Sequence, residues 1–459
     1  MALDRILAHK REEVAARKKT ASLESLLAGC PRSDRDLEGA LRRGRPGFVL
    51  ELKSASPSSG QIRAGDDLDA VLDAYGRHAD AVSVLTDEKF FGGSFDRLRR
   101  ARDRVRQPLL CKDFVLDPWQ VAEARRAGAD AILLILAAVD DATWRACAEL
   151  AGKLGLAVVT EAHDETETRR AVALGASIVG INNRNLRTLE IDRGTVPRLA
   201  PLVPPDRLVI AESGIESRAD VERYRPHADA VLVGSAVMRE PDVDAAVRSL
   251  VYGRTKVCGL TDPGHARAAW EAGATHGGLV FAPGSPRCLT VARAEEVRRG
   301  APLEWVGVFA DQPAGFVAEM AERLGLAAVQ LHGGETRAEV SEARQRVIGR
   351  CAVWKAVRPS KPQPVRAATG ADRLLLDAGP GGTGEAFDWS LLEGYAERGE
   401  VVVAGGLGPA NAEAAAALGA WALDASSGLE SSRGVKDAAR LRAFFAARRR
   451  LAGRGDDRR

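Results

Sequence analysis

Short runs rich in valine, isoleucine and leucine recur along this 459-residue chain and fall into two series of about eight. The first series is "FVLEL" (48–52), "AVSVLT" (81–86), "PLLCKDF" (108–114), "AILLILAA" (131–138), "LAVVTEA" (156–162), "IVGINN" (178–183), "RLVIAES" (207–213) and "AVLVGSA" (230–236). The second is "KVCGL" (256–260), "HGGLVFA" (276–282), "EWVGVFA" (304–310), "AAVQLHG" (327–333), "AVWKAV" (352–357), "RLLLDAG" (373–379), "EVVVAGGL" (400–407) and "AWALDASSG" (420–428). The gaps between runs hold a helix and two loops, as in "DPWQVAEARRAGA", where Asp117 is a predicted N-cap and Pro118 opens the helix. Strands apolar on both faces, alternating with helices eight times in about 200 to 250 residues, predict a closed barrel rather than an open sheet. Two doubly wound sheets are the alternative, but the glycine fingerprint of a dinucleotide-binding sheet is absent. The predicted fold is therefore α/β, two tandem (β/α)8 TIM barrels over residues 1–254 and 255–459, dividing near "VRSLVYGRT".

Composition narrows the function. A net charge of +3 is too small to point to nucleic acid, and Asp456 and Asp457 interrupt the basic tail. The six cysteines, at 30, 111, 147, 258, 288 and 351, form no CxxC pair, so reduced thiols in a cytoplasm are expected and neither a disulfide framework nor a zinc knuckle is. The N-terminal "MALDRILAHKREEVAARKKT" lacks an apolar segment and carries acidic residues, which predicts an amphipathic helix and no targeting peptide. No apolar run reaches the roughly 20 residues that span a bilayer.

In a barrel the C-terminal strand ends carry the site, and side chains alternate between lumen and helices. In "FVLELK", Val49, Glu51 and Lys53 share one face, which puts the charged pair in the upper lumen. The third strand ends at Lys112, the fifth at Glu161, the sixth at Asn182, and the seventh at Glu212 followed by Ser213. One charged residue at a strand end is usually a solvated boundary; closure makes these converge. Lysines among carboxylates in a partly dry pocket serve as general acids or as Schiff-base nucleophiles, so both remain open. "SGI" (213–215) and "GSA" (234–236), and in the second half "AGGL" (404–407) and "ASSG" (425–428), follow strands seven and eight. That is the usual barrel location for a phosphate, although turn glycines alone also fit.

These motifs resemble a known enzyme pair over nearly the whole chain. "ELKSASPSSG", "CKDF", "VTEAH", "GINNRNL", "AESGI" and "VGSAVM" are similar, in order, to indole-3-glycerol phosphate synthase. "KVCGLT", "FAPGSPRCLT", "VQLHG", "LLLDAGPGGTGEAFDWS" and "VVVAGGL" resemble phosphoribosylanthranilate isomerase, and the fusion resembles a bifunctional family of tryptophan biosynthesis. The resemblance implies that Lys112 is the general acid of ring closure and Glu161 a carboxylate assisting dehydration. It gives Glu51, Lys53, Asn182 and Glu212 the shaping of the site, and Ser56, Ser213, Gly214, Gly234 and Ser235 the substrate and its phosphate. An N-terminal helix over about residues 2–19 is expected to cross the mouth.

For the second half the resemblance implies Cys258 as general base and Asp377 as general acid of an Amadori rearrangement. The thiol then needs a lowered pKa and the carboxyl a raised one. Arg287 is a candidate partner of the substrate carboxylate by charge. Gly382, Thr383, Gly384, Gly405, Gly406, Ser426 and Ser427 are candidate phosphate contacts. Asp262 stands where the family pattern leads one to expect a basic residue, and adds negative charge near the mouth. His276 and His332 lack partners at ligand spacing, so no metal and no cofactor are expected; Cys111 is read as core. The expected partners are small phosphorylated substrates, with a monomer, no nucleic acid and no membrane. The rivals are a Schiff-base aldolase using Lys53 or Lys112 and a non-catalytic phosphosugar-binding tandem barrel.

Overall fold

The computed structural model describes the chain except residues 1, 45, 54, 57–59, 62–66, 360–368, 379–387, 395–399 and 451–459. Its described residues divide into two compact units, up to Val247 and from Arg248 to Arg450. Each contains a closed barrel of eight parallel strands in sequence order, the last pairing with the first.

In the first unit the strands are β1 (Gly47–Leu52), β2 (Ala81–Leu85), β3 (Leu109–Lys112), β4 (Ala131–Ile135), β5 (Ala157–Ala162), β6 (Ile178–Asn182), β7 (Leu208–Glu212) and β8 (Ala230–Val233). One buried apolar cluster takes alternate residues from them: Val49, Ala81, Leu110, Leu133, Val159, Ile178, Ile210 and Leu232 are all members. The same parity, continued up each strand, carries Glu51, Lys112, Glu161, Asn182 and Glu212. A period of two therefore stacks a charged layer on an apolar floor.

The helix preceding the barrel, α1 (Ala2–Lys18), matches the expected span within a residue. Leu3, Ile6 and Leu7 join the apolar cluster, each contributing about 1.5–3 kcal/mol by burial. Lys10 is wholly buried, with Nζ 2.9 Å from Glu13, Asp87 and Asp113 alike. Burial alone would lower its pKa, but these carboxylates outweigh it and raise it, so the ammonium stays charged. Asp117 caps the helix Pro118–Arg126 as predicted, accepting from Trp119 N–H at 2.8 Å.

The second unit's strands are β9 (Thr255–Cys258), β10 (His276–Val280), β11 (Glu304–Phe309), β12 (Ala328–Leu331), β13 (Ala352–Val357), β14 (Arg373–Leu376), β15 (Val401–Val403) and β16 (Ala422–Ala425). Val306, Ala328, Trp354, Leu375, Val402 and Ala422 form its apolar floor. Two residues above Leu375 and Ala422 stand Asp377 and Asp424. Several strands stop short of their apolar runs: "EVVVAGGL" leaves the sheet after Val403, because Gly405 (φ 85°) and Gly406 (φ 60°) adopt left-handed backbone that extended strand excludes.

Candidate active sites

The first barrel opens into a cavity of about 350 Å³ lined by Glu51, Lys53, Lys112, Glu161, Asn182, Ser213, Gly214, Gly234 and Ser235. Lys112 Nζ lies 2.8 Å from Glu212 Oε2 and 3.3 Å from Glu51 Oε2, while Lys53 Nζ lies 3.3 Å from Glu51 Oε1. Burial would lower the Lys112 pKa, but Glu212, Glu51 and Glu161 raise it strongly and keep it an ammonium. The carboxylates divide. Burial raises Glu212 to about 7, aided by the charges of Glu161 and Glu51 and only partly opposed by Lys112. Glu161 feels the same burial, yet His163, Lys112 and Asn182 bring it down to about 2. Neighbouring carboxyls with pKa values pushed apart supply one proton donor and one acceptor at a single pH.

Two glycines make this layer possible. A Cβ at Gly180 would come within 2.3 Å of Glu212 Oε1, and one at Gly234 within 2.8 Å of Glu51 Oε1. Gly234 was expected to serve a phosphate; it also gives Glu51 its space. Ser213 adopts a left-handed φ of 64°, which costs a non-glycine residue on the order of 1 kcal/mol and is typical of functional loops. Arg184 lines the cavity too and was not anticipated; burial lowers its pKa against the pull of Glu51. Ser56 lies in the short strand Ala55–Ser56, and its side chain is outside the described residues. Cys111 is buried core as expected, its thiol hydrogen-bonded to Thr86 at 3.4 Å and raised by burial to about 12.

The second barrel opens into a cavity of about 440 Å³ lined by Cys258, Arg287, Gln330, His332, Asp377, Gly405, Gly406, Asp424, Ser426 and Ser427. Cys258 and Asp377 thus face one space. Gly382, Thr383 and Gly384 lie outside the described residues. Beneath the thiol, Lys256 is wholly buried with Nζ 2.8 Å from Asp424 Oδ2. The thiol pKa is raised, not lowered as a base thiolate was expected to require: burial exceeds the opposing charge of Lys256. Gly278 gives Cys258 room, because a Cβ there would come within 2.9 Å of its Sγ.

Arg287 reaches the cavity but is held from behind, Nε and Nη2 donating to Glu430 at 2.8 and 2.7 Å. Glu430 also accepts from Lys436 Nζ at 2.7 Å. Asp262, expected to burden the mouth, does not line the cavity. It caps the helix Pro263–Ala272 and pairs with Arg293 at 2.9 Å, so its charge is spent locally. His332 lies 3.9 Å from Asp377 and its pKa is lowered, chiefly by burial. Among the described residues no group of histidines, cysteines and carboxylates is arranged to hold a metal.

The family model of indole-3-glycerol phosphate synthase matches residues 3–250, and that of N-(5'phosphoribosyl)anthranilate (PRA) isomerase matches residues 255–447. The chain belongs to the fused synthase and isomerase family. The tryptophan biosynthesis protein TrpCF of Yersinia pestis is 45% identical over 447 residues, 97% of this chain and 94% of that protein. Its Vibrio cholerae counterpart is 45% identical over 438 residues, 95% and 92% respectively. The crystal structure of phosphoribosyl anthranilate isomerase from Thermus thermophilus is 37% identical, covering 42% of this chain and 97% of that one with a TM-score of 0.39. This is accordingly a bifunctional enzyme of tryptophan biosynthesis, with the synthase barrel first and the isomerase barrel second.

Gly180, Arg184, His163, Gly278, Asp424 and Glu430 also shape the two sites and were not anticipated from the sequence; Lys256 shares the face of Cys258 by strand alternation, but its pairing with Asp424 was not anticipated. Gly180 and Gly278 carried a usable signal, since a glycine inside a strand marks a close approach.

Proposed function

We propose that the residues named above divide two successive reactions between the barrels, split at 254/255. In the synthase barrel, 1-(2-carboxyphenylamino)-1-deoxyribulose 5-phosphate closes to indole-3-glycerol phosphate with loss of carbon dioxide and water. Lys112 protonates the ketone oxygen as the aromatic carbon attacks, and loss of carbon dioxide restores the aromatic ring; in the dehydration the new hydroxyl leaves as water with a proton from Glu212, while Glu161 accepts the proton lost from the adjacent carbon. Glu51 and Lys53 hold Lys112 and the substrate hydroxyls in place, with Asn182 beside Glu161. Ser56, Ser213, Gly214, Gly234 and Ser235 cradle the phosphate. Arg184, whose guanidinium has no carboxylate ion pair among the described residues, fits the substrate's carboxylate.

In the isomerase barrel, Asp377 protonates the ribose ring oxygen of N-(5-phosphoribosyl)anthranilate, opening the ring to an iminium. Cys258 then removes the C2′ proton, and the enolamine tautomerises to the ketone that the synthase consumes. Arg287 pairs with the anthranilate carboxylate, and Gly382, Thr383, Gly384, Gly405, Gly406, Ser426 and Ser427 serve the phosphate. The raised thiol pKa means that only a minor fraction is thiolate at neutral pH, so substrate binding has to favour ionisation.

The observation that carries the synthase reading is Lys112 Nζ between Glu212 and Glu51 at 2.8 and 3.3 Å. An ammonium so stabilised suits an acid and not a Schiff-base nucleophile, which must be neutral. Six free thiols support a reducing cytoplasm. The proposal includes a monomer that binds small phosphorylated substrates and neither membrane nor nucleic acid; the net charge of +3 supports the last of these, and of the large apolar side chains exposed among the described residues, Phe316, Ile348 and Val435 lie on separate segments while Ile191 lines the synthase cavity. The test is steady-state assay of both reactions in Lys112→Ala and Cys258→Ala. Each should lose its own reaction by at least about 10³-fold and keep the other. Loss of both in a folded chain, or a borohydride-trapped adduct on Lys112, would defeat the proposal.

A further inference from the structure

His163 closes the loop after β5 and does not line the synthase cavity, yet its ring is clamped between two carboxylates. Nε2 lies 3.0 Å from Glu161 Oε1 and Nδ1 lies 3.0 Å from Glu167 Oε2. The side chain is only 11% exposed. A neutral imidazole carries one N–H and one lone pair, so it would set that lone pair against an anion at one of these contacts. Only the doubly protonated ring donates to Glu167 through Nδ1 and at the same time presents positive charge to Glu161, with which Nε2 forms an ion pair that is not aligned as a hydrogen bond. Glu167 is itself fixed: it accepts from the His163 backbone N–H at 2.8 Å, and its own N–H donates to the helix cap Asp164 at 2.8 Å.

We infer that His163 is a positioning residue of the synthase, a permanent imidazolium that orients Glu161 and keeps it ionised for proton acceptance. The neighbours of the pair divide. From β3 Lys112 favours an ionised Glu161, as does Asn182 from β6, while the carboxylates of Glu212 on β7 and Glu51 on β1 oppose it. Burial of Glu161 is thus opposed chiefly by His163. In turn burial would lower the His163 pKa, but Glu161 and Glu167 raise it to about 10. The sign follows: with the imidazolium removed, Glu161 moves upward, and a rate that needs it ionised fails first at low pH.

The inference rests on the proposed role of Glu161, so the experiment separates the two. Ring closure is measured from pH 5.5 to 8.5 in the full chain, with isomerisation by the same polypeptide as internal standard. His163→Gln retains the backbone bond to Glu167 and removes only the charge. In the wild type Glu161 places no acid limb in this range; in the variant one should enter it as burial carries Glu161 towards the value of about 7 that it gives Glu212, making the loss at pH 6 about tenfold greater than at pH 8.5, with KM little changed. A loss that is constant across pH, or no loss, overturns the inference. Glu161→Gln tests the underlying reading: if it leaves ring closure intact, the role of Glu161 fails. Independently of any variant, the His163 ring of the wild-type chain, followed by nitrogen NMR, should remain doubly protonated through pH 8.5. A neutral tautomer at pH 7 would also overturn the inference.

Discussion

The two cavities share a scaffold and differ in how densely they are charged. In the synthase barrel, three carboxylates and two lysines crowd one layer, and Lys112 alone touches two carboxylates within 3.3 Å. In the isomerase barrel, a thiol and a carboxyl line one cavity, and the buried charges beside them are separate pairs, Lys256 with Asp424 and Arg287 with Glu430, rather than one shared cluster. The difference follows the chemistry. Closing a ring and then losing carbon dioxide and water moves protons at several atoms, whereas an Amadori rearrangement uses one acid and one base. Crowding demands space as well as charge, and a strand glycine provides it in each barrel.

The contrast can be broken most severely at Gly180. In Gly180→Val the new side chain would occupy the place of the Glu212 carboxylate; ring closure should fall by about 10²-fold while isomerisation is unchanged, as paired assays on one sample would reveal. Gly278→Ala is the counterpart in the sparser site. Its Cβ meets Cys258 Sγ and Cα at 2.9 Å, a smaller intrusion that displaces the thiol and its strand by a few tenths of an ångström, so isomerisation should fall about tenfold with ring closure spared. Equal damage from the two glycines would mean that crowding does not distinguish the sites.

The smallest effect is expected behind Arg287. Glu430→Gln weakens its two-point anchor, so KM for isomerisation should rise about threefold to fivefold with kcat less affected. Burial would push the Glu430 pKa up, but Arg287 and Lys436 hold it at about 2, below its ordinary 4.5. A depressed carboxyl stabilises the fold above the ordinary value, and this contribution disappears as pH falls through 4.5 towards 2. Acid inactivation of the isomerase over that window should therefore be shallower in Glu430→Gln.

What the sequence made legible was whatever depends on parity along one strand. The pattern Val49, Glu51, Lys53 located the charged layer because alternation is local, and the same rule puts Asp377 above Leu375. Partnerships between strands were not legible. Lys256 lies two residues from Cys258, but its partner Asp424 is 168 residues away, and no local pattern joins them. Glu430 was hidden for the same reason, on a short hairpin 143 residues from Arg287. His163 stood in full view in "VTEAH", yet its meaning comes from Glu167, one helical turn onward, and from the direction of the Glu161 side chain. Asp262 shows the converse: its charge was legible, but not Arg293, which neutralises it.

The burial of Lys10 also bears on how the chain is made. The helix that carries it leaves the ribosome about 100 residues before Asp113, one of its anchors. At about 5–20 residues per second, this segment waits roughly 5–20 seconds with Leu3, Ile6 and Leu7 still in water. Docking of this helix is therefore a late event in the making of the first barrel, since Lys10 has its full set of carboxylates only after Asp113 has been added.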